Sequence, residues 1–155
     1  YRHAHAWVAA SPGIRDHLLQ HGFPADRIFH IGNFVAPYHP SPAATLSGLR
    51  REFDIPEEAL IVTAVGRLHP VKGFDNLLRA FAKVAPRIQD RPVYLIVVGD
   101  GPMATKLSRQ AGQLGIGRRV RWPGWRDDAG RFQELADLCV CSSSQEGLGN
   151  VILEA

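Results

Sequence analysis

The sequence predicts an α/β protein built on an open, doubly wound parallel sheet. Three observations carry this expectation. Apolar, β-branched runs recur at 59–66 (ALIVTAVG), 92–99 (PVYLIVVG) and 138–143 (LCVCSS), the first two closed by glycine. Such runs suit strands buried on both faces. Segments with helical apolar spacing lie between them. The alternation of the two patterns implies right-handed βαβ units and therefore a Rossmann-like sheet.

From the amino end, AWVAAS (6–11) reads as a strand. SPGIRDHLLQHG (11–22) reads as a helix with Ser11 at the N-cap, Pro12 at N1 and Gly22 past its end, and RIFHIG (27–32) as another strand. NFVAPYHPSPAAT (33–45), dense in proline and without periodicity, reads as a linker. After the strand at 59–66, FDNLLRAFAKVAPRI is expected to be a helix, with Leu77, Leu78, Phe81 and Val84 on one face. After the strand at 92–99, PMATKLSRQAGQLG is expected to be a helix with Pro102 in its first turn and a glycine at its end. A shorter strand RVRW (119–122), a helix in DDAGRFQELA and the strand LCVCSS complete the order. Residues 1–38 then form the tail of a preceding domain with its linker, and residues 39–155 the sheet domain. The opening YRHAHAWVAASPG has no initiator methionine and no signal-peptide core, and the helix expected near Asn150 stops after about half a normal length. Both ends read as cuts, and at least one more strand is expected after Ala155.

A chain of 155 residues, 45% hydrophobic and 21% charged, is long enough to bury one core. Its longest apolar runs fall far short of the ~20 residues of a membrane span. The net charge of +3 comes from 18 Lys and Arg spread along the chain, without the basic block that advertises nucleic acid. Cys139 and Cys141, two apart on one strand, are too close for an easy disulfide and too few for zinc. They read as core thiols in a reducing compartment.

Ligands of such sheets bind beyond the carboxyl ends of the strands, which singles out the loops after residues 65, 98, 122 and 141. The first loop, VGRLHPVKGF, sets Gly66, Arg67 and Lys72 between a strand and a helix N-terminus. That arrangement suits a diphosphate, although both cations could equally be solvated loop residues. VVGDGP carries Gly99 and Gly101, which let the backbone approach something closely, while Asp100 either meets a ligand or caps the next helix. In SSSQEGLGNVILEA, Gly147 and Gly149 leave room at the backbone and a helix begins near Asn150. Glu146 and Glu154 flank that turn, and carboxylates pair well with the vicinal hydroxyls of a sugar or ribose. The plainer alternative is a surface acid and a first-turn acid favoured by the helix dipole. All three loops fit one ligand, a nucleotide-diphosphate sugar.

V-G-R-L-x-x-x-K-G at 65–73, G-D-G-P at 99–102 and E-x7-E from Glu146 to Glu154 resemble the retaining glycosyltransferases of the GT-B fold, the group 1 family of GT4 type. The resemblance runs over essentially the whole chain. IFHIGNFV (28–35) is similar to the family's V-I-P-N-G-V segment, with Gly32 in place of its proline and Phe34 in place of its glycine. It implies that residues 1–38 end an N-terminal acceptor domain absent here, and that residues 39–155 are a C-terminally incomplete donor domain. It also implies that Arg67, Lys72 and Glu146 act on the donor, that Glu154 binds the ribose, and that Gly147, Leu148, Gly149 and Asn150 contact sugar and phosphates. WPGWRDD matches the region where the nucleobase packs, with Trp125 or Arg126 stacking on the base; a partly buried core residue is the other reading of Trp125. Asp127-Asp128 is not a D-x-D metal motif, and no metal or cofactor is implied.

The activity so implied is transfer of a hexose, with retention, from a UDP-, GDP- or ADP-sugar to a saccharide or lipid-linked acceptor. It fits lipopolysaccharide, exopolysaccharide or glycolipid synthesis, with a cytoplasmic protein in peripheral contact with the inner membrane. This chain alone is expected to be inactive and to bind nucleotide weakly. Competing readings are a non-catalytic nucleotide or dinucleotide module and a GT-B phosphorylase or epimerase. Against a dehydrogenase stands G-R-L-H-P-V-K-G where G-x-G-x-x-G is required.

Overall fold

The computed structural model describes residues 4–32, 34, 39–84 and 87–144. Near the amino end, β1 (Trp7–Ala9) and β2 (Ile28–His30) pair in parallel around α1 (Pro12–Gln20). The expected caps are present. Ser11 Oγ accepts from Ile14 N at 3.3 Å, Pro12 opens the helix, and Gly22 turns the chain with φ +77°. Asn33 lies outside the described residues.

The main sheet is built from β3 (Leu60–Val65), β5 (Arg91–Val98), β6 (Val120–Gly124) and β7 (Leu138–Cys139), all parallel, with the two-residue β4 (Arg87–Ile88) antiparallel to the start of β5. The parallel order is β6-β5-β3-β7. Successive strands move outward from β3 in one direction, and the fourth returns to its other side. The strand order reverses between β3 and β7, and such a switch point is the usual ligand crevice of a doubly wound sheet.

Helices cover both faces. Val93, Leu95 and Val97 of β5 point toward α3 (Phe74–Val84) and α4 (Ala104–Gln113) and share a core with Leu78, Phe81, Leu107 and Ala111. Tyr94, Ile96 and Val98 point to the opposite face and meet Leu49 of α2 (Ala43–Glu52) and Phe132 of α5 (Ala129–Glu134). Because the strand period is two, a continuous apolar run feeds both layers. Among the described residues no helix is long and apolar enough to cross a membrane.

Several elements differ from the sequence expectation. Helix α2 starts inside the stretch read as linker, because its Leu46 and Leu49 reach the second core cluster. Helix α3 ends at Val84, which is 56% exposed, and Arg87 and Ile88 turn back as β4 through Gln89 and Asp90, both at positive φ. Pro102 sits in a turn before α4, whose N-cap is Met103. LCVCSS supplies only two strand residues, since beyond Cys139 the chain leaves the sheet to pair with the loop after β3. The core-thiol expectation therefore fails for Cys141, which is exposed, while Cys139 is half-buried and its thiol is pushed up in pKa by burial.

Candidate functional site at the carboxyl edge of the sheet

The four loops singled out by the sequence are stitched together by main-chain hydrogen bonds. Gly66 N donates to Val98 O at 2.9 Å, Leu68 N to Asp100 O at 2.9 Å, Met103 N to Leu68 O at 3.0 Å and Gly99 N to Gly124 O at 2.8 Å. Glycine is required for this approach. At φ +134°, a Cβ on Gly99 would lie 2.0 Å from Gly66 O, and one on Gly101 would lie 2.6 Å from Leu68 O. The close approach expected of these glycines is thus to the neighbouring loop that carries Arg67.

The loop after β7 is tied to the same place. Val140 N donates to Thr63 O at 2.8 Å, Ser142 Oγ to Lys72 O at 2.8 Å and Ser144 N to Val71 O at 2.9 Å. Gly73, left-handed at φ +64°, leaves the space these contacts need, since a Cβ there would lie 2.2 Å from Ser142 O. Pro70–Lys72 forms a 3-10 turn that delivers Lys72 to the start of α3. The Lys72 chain runs beside Gly66, whose absent Cβ would sit 3.8 Å from Lys72 Cδ and 3.9 Å from Cε. Arg67, next to Gly66, is exposed.

A cavity of about 470 Å³ opens over this platform, lined by Val65, Gly66, Arg67, Val98, Gly99, Asp100, Trp125, Arg126 and Ala129. It joins Gly66, Arg67, Gly99, Trp125 and Arg126 of the expected site. Lys72 and Gly101, the latter locked to Leu68, are not among its lining residues. Glu146, Gly147, Leu148, Gly149, Asn150 and Glu154 lie outside the described residues.

Two readings of side chains are corrected. Trp125 is 74% exposed at the cavity rim and is not a core residue; Trp122, one strand turn earlier, is the indole packed against the core. Asp100 does not cap α4: its Oδ1 accepts from Gly101 N at 2.6 Å, and the residue lines the cavity. Arg126 is heavily engaged. Its Nε and Nη2 donate to the two oxygens of Asp128 at 2.8 and 3.0 Å, its Nη1 donates to Glu52 at 3.0 Å, and its guanidinium carbon lies 5.3 Å from the centre of the Phe132 ring. Hydrogen bonding from Arg126 holds the Asp128 carboxyl below its usual pKa, and the same pair keeps the guanidinium firmly charged.

A second cavity of about 650 Å³ shares Gly99 and Asp100 with the first and extends along α4 past Thr105, Ser108, Arg109 and Trp122. Sequence reasoning missed it. The available signal was polar residues at 105, 108 and 109, on the side of the helix away from Leu107 and Ala111.

Fold and site together define a Rossmann-type domain whose crevice carries a cationic turn at the switch point. The sequence profile of the family described as "Glycosyl transferases group 1" matches residues 48–155, and the chain belongs to that family. It is 35% identical over 155 residues to the lipopolysaccharide core biosynthesis glycosyltransferase LpsE of Rhizobium meliloti (strain 1021), covering 100% of this chain and 42% of that protein. Against LpsD of the same organism it is 33% identical over 154 residues, covering 99% and 41%. The crystal structure of Anabaena Alr3699/HepE in complex with UDP and glucose superposes with a TM-score of 0.84 at 30% identity, over 99% of this chain and 42% of that one. The chain thus spans about two fifths of the length of these relatives and is one half of the GT-B fold.

Proposed function

We propose that the chain is the donor-binding half of a retaining glycosyltransferase that moves a hexose from a nucleotide-diphosphate sugar to an acceptor hydroxyl. Residues 1–38 then end the acceptor domain, and residues 39–155 bind the donor. The observation that carries the reading is the Arg67–Lys72 turn, fixed by glycine contacts to the loops after β5 and β7, with Arg67 lining a cavity that has an exposed indole at its rim and the Lys72 chain beside Gly66. Trp125 offers a flat apolar face to a nucleobase. Relatives named for lipopolysaccharide core synthesis, and a similar structure holding UDP and glucose, support a nucleotide-sugar donor and a saccharide or lipid-linked acceptor.

Breaking a glycosyl phosphate bond places negative charge on the leaving diphosphate. In this scheme Arg67 and Lys72 would meet that charge, an electrostatic contribution of ~3 kcal/mol for a single well-placed donor. Glu146 would hold a hydroxyl of the transferred sugar and Glu154 the ribose, with the backbone at 147–150 against sugar and phosphates. Neither carboxylate is assigned as a nucleophile, because one is committed to the ribose. The leaving phosphate assists deprotonation of the acceptor, and no metal has a part in the scheme.

The test is transfer and donor hydrolysis by the full-length protein with UDP-, GDP- and ADP-sugars, alongside Arg67→Ala and Lys72→Ala. Each variant is expected to lose about 100-fold in kcat/KM. Tight NAD binding indifferent to both substitutions, with no turnover of any nucleotide sugar, overturns the proposal in favour of a dinucleotide module.

A further inference from the structure

We infer that Arg126 is a strut and not a donor ligand: Asp128 and Glu52 clamp its guanidinium over Phe132 and so hold the loop that presents Trp125 at the cavity. The inference rests on the donor-site reading above and assigns positioning roles within it.

Three of the guanidinium's five N–H groups are spent on the two carboxylates, and one face covers Phe132, which is fully buried. The partners come from separate places. Asp128 stands just ahead of α5, whereas Glu52 is the last residue of α2, 74 positions before Arg126 in the chain. The loop is held on its other side by Gly124 O, which accepts from Gly99 N at 2.8 Å, and Gly124 bends the chain at φ +76°. Trp125 therefore sits between two fixed points although its own ring is 74% exposed. An unclamped Arg126 would be a mobile cation at the cavity wall; the clamp instead makes its charge part of the scaffold and leaves the indole as the recognition surface.

The experiment is a double-mutant cycle on the full-length protein, with UDP, GDP and ADP affinities measured by calorimetry well below the unfolding midpoint and inorganic pyrophosphate as an internal control. Trp125→Ala is expected to weaken the preferred nucleotide at least about fivefold, as loss of base stacking does, and Trp125→Phe to retain most of the affinity. Arg126→Ala and Asp128→Asn should weaken it comparably, Glu52→Gln less, and Arg126→Lys only in part because a point charge replaces the fork. Pyrophosphate affinity should be unchanged in all of them. In the Trp125→Ala/Arg126→Ala double variant the loss should equal that of Trp125→Ala alone. Additive losses, or a pyrophosphate affinity that falls with Arg126→Ala, overturn the strut and make Arg126 a ligand. Wild-type protein that binds pyrophosphate but no nucleotide overturns the donor-site reading itself, and the strut with it.

Discussion

Gly73→Ala tests how the Arg67–Lys72 turn is held. Gly73 is left-handed at φ +64°, where an alanine costs about 1–2 kcal/mol. The new Cβ would lie 2.2 Å from Ser142 O, and a comfortable C···O contact needs roughly 3.3 Å, so the two loops must part by about 1 Å. That separation breaks the bonds from Ser142 Oγ to Lys72 O and from Ser144 N to Val71 O, each contributing about 1 kcal/mol. The expected loss is about 3–4 kcal/mol in urea unfolding. A displacement of ~1 Å at Lys72 is also expected to lower donor turnover by about 100-fold. Ser142→Ala, which removes one bond without forcing the loops apart, should cost about 1 kcal/mol and leave turnover nearly intact. A Gly73→Ala protein within about 1 kcal/mol of wild type, with unchanged turnover, would refute the coupling between the two loops.

Three further outcomes are expected. Phe132→Ala removes a fully buried ring that meets Phe53 edge-on and underlies Arg126, and should cost about 3–5 kcal/mol by chemical denaturation. The Asp128 carboxyl is held below its usual pKa by Arg126, so its contribution is present above the unfolded-state value of about 4 and is lost as pH falls through the folded one. The stability gap between wild type and Asp128→Asn should accordingly be full near neutrality and close below about pH 4 in unfolding titrations. Exposed Cys141 should react with a thiol reagent at pH 8 at least about tenfold faster than Cys139, whose burial disfavours the thiolate; mass mapping of the labelled peptides checks the order.

The parallel sheet with helices on both faces was legible because runs such as ALIVTAVG and PVYLIVVG have no solvent face, which forces helices onto both sides. The close approach at Gly99 and Gly101 was legible because tight loop crossings admit few residue types. Helix α2 was not, since two prolines precede it and only Leu46 and Leu49 mark its inner face. The Glu52–Arg126 pair joins residues 74 apart in sequence, and no local pattern announces such a contact. Trp125 and Trp122 look alike in the string WPGW; only the bend at Gly124 sends one indole to the core and the other to solvent.

Helix α2 grips the segment after β6 at both of its ends. Ser41 N, two residues ahead of it, donates to Glu134 at 2.8 Å, and Glu52, its last residue, pairs with Arg126 at 3.0 Å. The helix therefore works as a lever arm joining the chain at Ser41 to the loop that carries Trp125. A pull on the chain at Ser41 arrives at the Trp125 rim through that one helix, without crossing the sheet.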